Sequence, residues 1–155
     1  PAWWKAATEE QGLVLAQRAI DNGSAMEKFR ELVIAQGGDV SYIDDLGKLP
    51  KAGIIHTIQA EESGWVAEVN AQEIGESSVI LGAGRLKKGD PIDPAVGIMV
   101  HVKIGDRVEK GQTLFEVHVN DECKYNEAMV KIKKSVKISN EPVEAPPYFY
   151  GVIGL

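Results

Sequence analysis

The stretch from Val79 to Asp121 constrains the fold more than any other, because glycines divide it into short apolar runs. Val96, Ile98, Val100, Val102 and Ile104 recur at every second residue, the spacing that places side chains on one face of a strand. Gly105-Asp106 and Lys110-Gly111 then break the chain, and Leu114 to Val119 is a second β-branched and aromatic run. The local pattern predicts a compact, tightly turned β element.

The flanks show other periods. Thr8-Glu9-Glu10-Gln11 has capping-box spacing, and Leu13, Ala16 and Ile20 share one face of the helix that should follow, up to Asn22-Gly23. Ser24-Ala25-Met26-Glu27 repeats the capping signal, and Phe29, Leu32, Val33 and Gln36 form a second stripe that stops at Gly37-Gly38. Two helices on a tight Asn-Gly turn make a helical hairpin. Asp39 to Lys51 is a polar crossing segment. Ile54 to Gln59 reads as a strand, and in the next run Trp65, Ala67 and Val69 alternate with Val66 and Glu68. Ala71 to Gly75 reads as one helical turn, and Val79 to Leu81 as a strand. Tyr125, Ala128, Met129 and Ile132 then give an amphipathic helix, with Lys131, Lys133 and Lys134 at its negative end. Val136 to Ile138 is extended, and the proline-rich tail brings Tyr148, Phe149, Tyr150 and Val152 to dock on the body.

LGAGR, KKGDPIDPAVGI and VKIGDRVEKGQTLFEVHVND, in that order, resemble the C-terminal domain of pyrimidine-nucleoside (thymidine) phosphorylases. The resemblance extends upstream through Met26-Glu27-Lys28-Phe29, Gln36-Gly37-Gly38-Asp39 and Ser63-Gly64, covering roughly residues 12 to 150. It implies an α+β domain of the α/β-hammerhead type: a barrel-like β body with one packed helix, preceded by the helical hairpin. The expected parts are an atypical N-terminal segment at 1-7, the hairpin at 8-38 and the C-terminal α/β domain at 39-155. The first segment, PAWWKAA, reads as divergent sequence or as a join left by cutting a fragment.

A chain of 155 residues with 44% hydrophobic and 26% charged residues is large enough for one core without disulfides or a metal. Its net charge of −6 argues against a nucleic-acid partner, which would call for a basic stripe. No apolar run approaches a membrane span, and the single Cys123 cannot form an internal bridge, so a cytoplasmic setting is expected.

Candidate chemistry is thin. Gly82-Ala83-Gly84-Arg85, with Lys87 and Lys88, could bring backbone N–H groups and positive charge to a phosphate, but the third glycine of a dinucleotide loop and the Lys-Ser/Thr of a P-loop are missing. Turn glycines are the plainer reading. Gly105 to Leu114 looks like the half-barrel repeat of biotinyl or lipoyl carriers, yet the target lysine's position, near 121, is Asp121. Glu127-Ala128-Met129-Val130-Lys131 mimics the carrier motif with a valine inserted, and falls in the helical period. His56, His101 and His118 are isolated, with His101 and His118 able to face each other on adjacent strands. Cys123 beside Lys124 is a lone thiol. The pairs Glu9-Glu10, Asp44-Asp45 and Glu61-Glu62 are sequence neighbours and share no face as a catalytic dyad would.

The resemblance implies a parent pentosyltransferase, a homodimer that converts a pyrimidine nucleoside and phosphate to base and pentose 1-phosphate. The family's Ser-Gly-Arg and Gly-Gly-Thr signature has no counterpart here, so no catalytic, cofactor-binding or metal residue is assigned. This segment is then a structural, inactive part whose partner is the remainder of the phosphorylase chain. The alternatives are a carrier-like half-barrel and a non-catalytic interaction domain.

Overall fold

The computed structural model describes residues 8–151. The segment 1-7 and Val152 of the aromatic tail lie outside the described residues. The chain divides between Leu49 and Pro50 into two compact units.

The first unit is helical. Helix α1, Glu9–Asp21, starts where Thr8 Oγ1 accepts the Gln11 N–H at 3.3 Å, as the capping box requires. Helix α2, Ser24–Ala35, does not use the second capping box. Gly23, at φ +79°, occupies the cap position, and Ser24 is already helical, its N–H donating to Asn22 Oδ1. With only Asn22 and Gly23 between the helices, the left-handed glycine does the work that a serine cap needs an extended residue for. The crossing segment folds into α3, Ser41–Asp44, and a 3-10 turn at Leu46–Lys48, and Arg30 of α2 pairs with Asp44. Leu13, Ile20, Phe29 and Leu32 are all exposed.

The second unit holds strands β1 (Ile54–Gln59), β2 (Gly64–Val69), β3 (Gly97–Val100), β4 (Arg107–Val108), β5 (Thr113–Val119) and β6 (Val136–Ser139). Helices α4 (Ala71–Leu81) and α5 (Glu122–Lys134) complete it. The strands form two antiparallel sheets, ordered β1-β5-β3 and β4-β2-β6. The architecture is therefore α+β, but no closed barrel forms among the described residues, because the strands hydrogen-bond as two separate three-stranded sheets. Register slips at Ile58/Gln59 and Val66/Glu68 bend each sheet locally. Val66, Val108, Phe115, Val117, Val119 and Ile132 are fully buried in the shared core.

Several expectations change here. The predicted single turn and the strand at Val79–Leu81 are one eleven-residue helix, α4. Asn70 Oδ1 caps it by accepting the Glu73 N–H at 3.1 Å, and α4 packs along α5, so tertiary contact overrides the β-branched preference of Val79-Ile80. The Val96–Ile104 alternation is strand only over Gly97–Val100, and Val100 is exposed while Val96 and Val102 are buried. Beyond His101 the chain leaves the first sheet for the second, through a turn in which Gly105 N–H donates to Val66 O and Val66 N–H to Asp106 O. That crossing turns the inward direction over. In β2, Gly64 and Val66 are buried and Ala67 is exposed, while Trp65 lies half-buried with the Arg107 guanidinium 5.3 Å from a ring centre. The tail aromatics Tyr148, Phe149 and Tyr150 do not bury themselves on unit 2 but stay exposed, although Ala145 rests on Gly105 at the root of the tail.

Gly64 shows how close the second sheet is packed. A Cβ there would lie 2.5 Å from both Ile138 Cγ2 and Ser139 O. Gly64→Ala is expected to destabilise the second unit by about 1–3 kcal/mol through overpacking, read as a lower urea midpoint at unchanged slope.

Candidate functional site

The glycine-rich motif is the first test. Gly82 sits at φ +111°, beyond the last turn of α4, with its N–H donating to Val79 O and the Ala83 N–H to Ser78 O. This is a helix C-terminus, whose carbonyls carry the negative end of the dipole, so the backbone there does not cradle phosphate. Gly84 is glycine for packing: a Cβ would stand 2.7 Å from Val79 Cγ2. Arg85 Nε donates to Asp90 O at 3.1 Å, and the Lys87 N–H to Asp90 Oδ2 at 2.8 Å, closing the Lys87–Asp90 turn. Asp93 holds the loop's far end, accepting from the Ala95 N–H and from Asn120 Nδ2. Those two bonds, Asn120 foremost, lower the Asp93 pKa.

The carrier reading fails on geometry as well. Asp121 is the N-cap of α5, its carboxylate accepting from the Cys123 and Lys124 N–H groups. Lys131 lies within α5, away from any hairpin tip, and its ammonium reaches Glu76 at 2.6 Å and Glu73 at 3.5 Å on α4. Lys131 is a clamp between helices. Lys133 pairs with Glu61 at 2.9 Å and, on β6, Lys137 pairs with Glu68, so Lys131, Lys133 and Lys137 are each joined to acids of the same unit.

The histidines separate. His118 lies opposite Gly97, not His101, because β3 runs antiparallel with Val100 opposite Phe115. His118 Nε2 is 2.7 Å from Glu116 on its own strand. His56 is joined to α5: its Nε2 lies 3.0 and 3.1 Å from the two Glu122 oxygens, and its ring stacks on Tyr125 at 3.9 Å. Burial first, then the Glu122 charge, pushes the Tyr125 hydroxyl pKa up. Sequence reading missed this trio because Glu122 is 66 residues from His56. The one available signal was the capped helix start beyond Asp121, which places Glu122 and Tyr125 in its first turn.

Among the described residues no cluster of three or more His, Cys, Asp or Glu could hold a metal, and no helix is long and apolar enough to cross a membrane. Cys123 is exposed and unpaired. Every buried side-chain polar atom among the described residues has a hydrogen-bond partner.

The pattern for the pyrimidine nucleoside phosphorylase C-terminal domain matches residues 65–139. Over 149 residues, 96% of this chain, the sequence is 38% identical to the pyrimidine-nucleoside phosphorylase of Geobacillus stearothermophilus. It is 40% identical over the same share to those of Bacillus subtilis and Staphylococcus aureus. The match spans 34% of the length of each of these curated relatives.

The inter-element ion pairs give a pH dependence with a definite sign. Lysine hydrogen bonds lower the pKa values of Glu61, Glu68 and Glu76 below the ordinary 4.5. Their contribution is thus present above pH 4.5 and lost as pH falls through the lowered folded values. Lys131→Met is expected to flatten the acid limb of the urea midpoint plotted against pH. Because the pairs are exposed, the difference should shrink in high salt.

Proposed function

We propose that this chain, whose residues 65–139 match the pattern of a pyrimidine nucleoside phosphorylase C-terminal domain, is the closing third of a longer enzyme of that class. The longer enzyme is a cytoplasmic pentosyltransferase and a homodimer. It moves the pentose of a pyrimidine nucleoside onto phosphate and releases the free base and a pentose 1-phosphate. The observation that carries this reading is the 149-residue match to pyrimidine-nucleoside phosphorylases at 38% and 40% identity.

Within that enzyme the segment is a brace, supplying no catalytic, cofactor-binding or metal residue. The Gly82–Arg85 motif supports this, being spent on a helix end and a close packing contact. Lys131 and Lys133 of α5 support it too, being spent on inter-element ion pairs. The second unit is of α/β-hammerhead type, with α5 as the packed helix. In the first unit, Leu13, Ile20, Phe29 and Leu32 form the face that the upstream catalytic body covers.

Incubating the purified 155-residue chain with uridine or thymidine and phosphate is expected to release no base above a blank. The full-length gene product is expected to release uracil or thymine together with pentose 1-phosphate. Base release by the chain alone, or a full-length product without phosphorolysis, would overturn the assignment.

A further inference from the structure

Three aromatic side chains stand in a row near the end of the described chain, and unit 2 leaves them uncovered. Tyr148, Phe149 and Tyr150 are 88%, 83% and 87% exposed. A packed aromatic residue removes roughly 150–250 Å² from water, so three in succession form a large exposed apolar surface.

The fold fixes where the run is rooted. Gly105 turns at φ +95°, and a Cβ on it would lie 2.9 Å from the Ala145 nitrogen, so only glycine lets the tail approach this closely. Pro146 and Pro147 then restrict the backbone, which lowers the entropy lost when the run is captured. Beside this root an open groove of about 460 Å³ is lined by Val69, Val102, Ile104 and Pro147, with Lys103 and Tyr148 also on its wall. Groove and aromatic run are continuous, since Tyr148 belongs to both.

We propose that groove and run form one docking surface, occupied by the upstream two-thirds of the longer polypeptide. This rests on the reading that the chain closes a longer enzyme. The occupant presents an apolar side chain to the groove and a carboxylate to Lys103. The match covers 34% of each curated relative, so a body about twice the size of this segment accompanies it in them. Covalent attachment holds such a body at high effective concentration, enough to keep an aromatic surface covered in a soluble protein.

The test compares two lengths of the same protein. Tyr148→Ala/Phe149→Ala/Tyr150→Ala in the full-length protein is expected to lower the melting temperature by several degrees and to speed hydrogen exchange at residues 102–105. In the 155-residue chain the same triple change should alter melting and exchange far less, since the three rings are mostly exposed there and only Tyr148 meets the groove wall. Lys103→Glu in the full-length protein should speed the same exchange. Should the triple variant not accumulate, Phe149→Ala alone carries the comparison. Equal effects at both lengths would overturn the proposal, as would a concentration-dependent mass of the short chain that the triple change abolishes, which would make a second copy the occupant. Phosphorolysis by the wild-type full-length protein is measured alongside. Its absence with the melting difference retained would sink the enzyme reading alone.

Discussion

Phe115, Val117 and Val119 alternate along β5 on the face it turns to the core, and β5 is the only strand of its sheet with a neighbour on each side. β1 takes its register from it, with Ile58 opposite Phe115, and so does β3, with Val100 opposite the same residue. A slip of one residue would send Glu116 and His118 inward and Phe115 outward. That exchange is prohibitive, because the Glu116–His118 pair would lose water and the largest core side chain its cover. β5 also runs through Asn120 directly into the Asp121 cap, so its register decides where α5 begins. The position of α5 in turn decides which acids of α4 its Lys131 can reach.

Much of this was legible because it is local. The Thr8 cap, the Asn22-Gly23 turn, the β1 and β5 runs and the Tyr125–Ile132 stripe all follow from short-range periodicity and turn chemistry. The failures share a cause. Val79-Ile80 has strand preference, yet helix α4 continues through it because packing along α5 stabilises the helix more than local preference opposes it. Val96–Ile104 alternates correctly, but the chain changes sheets at Gly105, and no pattern of period two encodes which sheet a residue faces after a crossing. The Ser24 box was a valid signal defeated by its neighbour, Gly23. The exposure of the tail aromatics was not legible, because aromatic character alone does not encode which surface, within the unit or beyond it, will cover them.

The candidate chemistry illustrates how motif words lose meaning outside their structural setting. GAGR after a strand points N–H groups outward, whereas GAGR after a helix terminates carbonyls, and the two differ in electrostatic sign. EAMVK on a hairpin tip displays a lysine, whereas the same word inside α5 returns that lysine to Glu76 across the helix pair. In each case the residues are the same and the secondary structure around them decides what they can do.

A contrast runs through the charged and apolar surfaces of the second unit. Lys131, Lys133 and Lys137 each meet a carboxylate of another element. Exposed pairs of this kind contribute little stability one at a time, but they tie α5 to α4 and to the β1–β2 turn, and β6 to β2. The apolar surface has no such internal use: Met99 and Val100 on the edge strand β3 and the aromatic run beyond Pro147 remain open. Three lysines joined to acids of their own unit, beside bare aromatic surface, support the proposal that this unit is held by contact with a larger body. That is the physical sense in which the second unit reads as a brace.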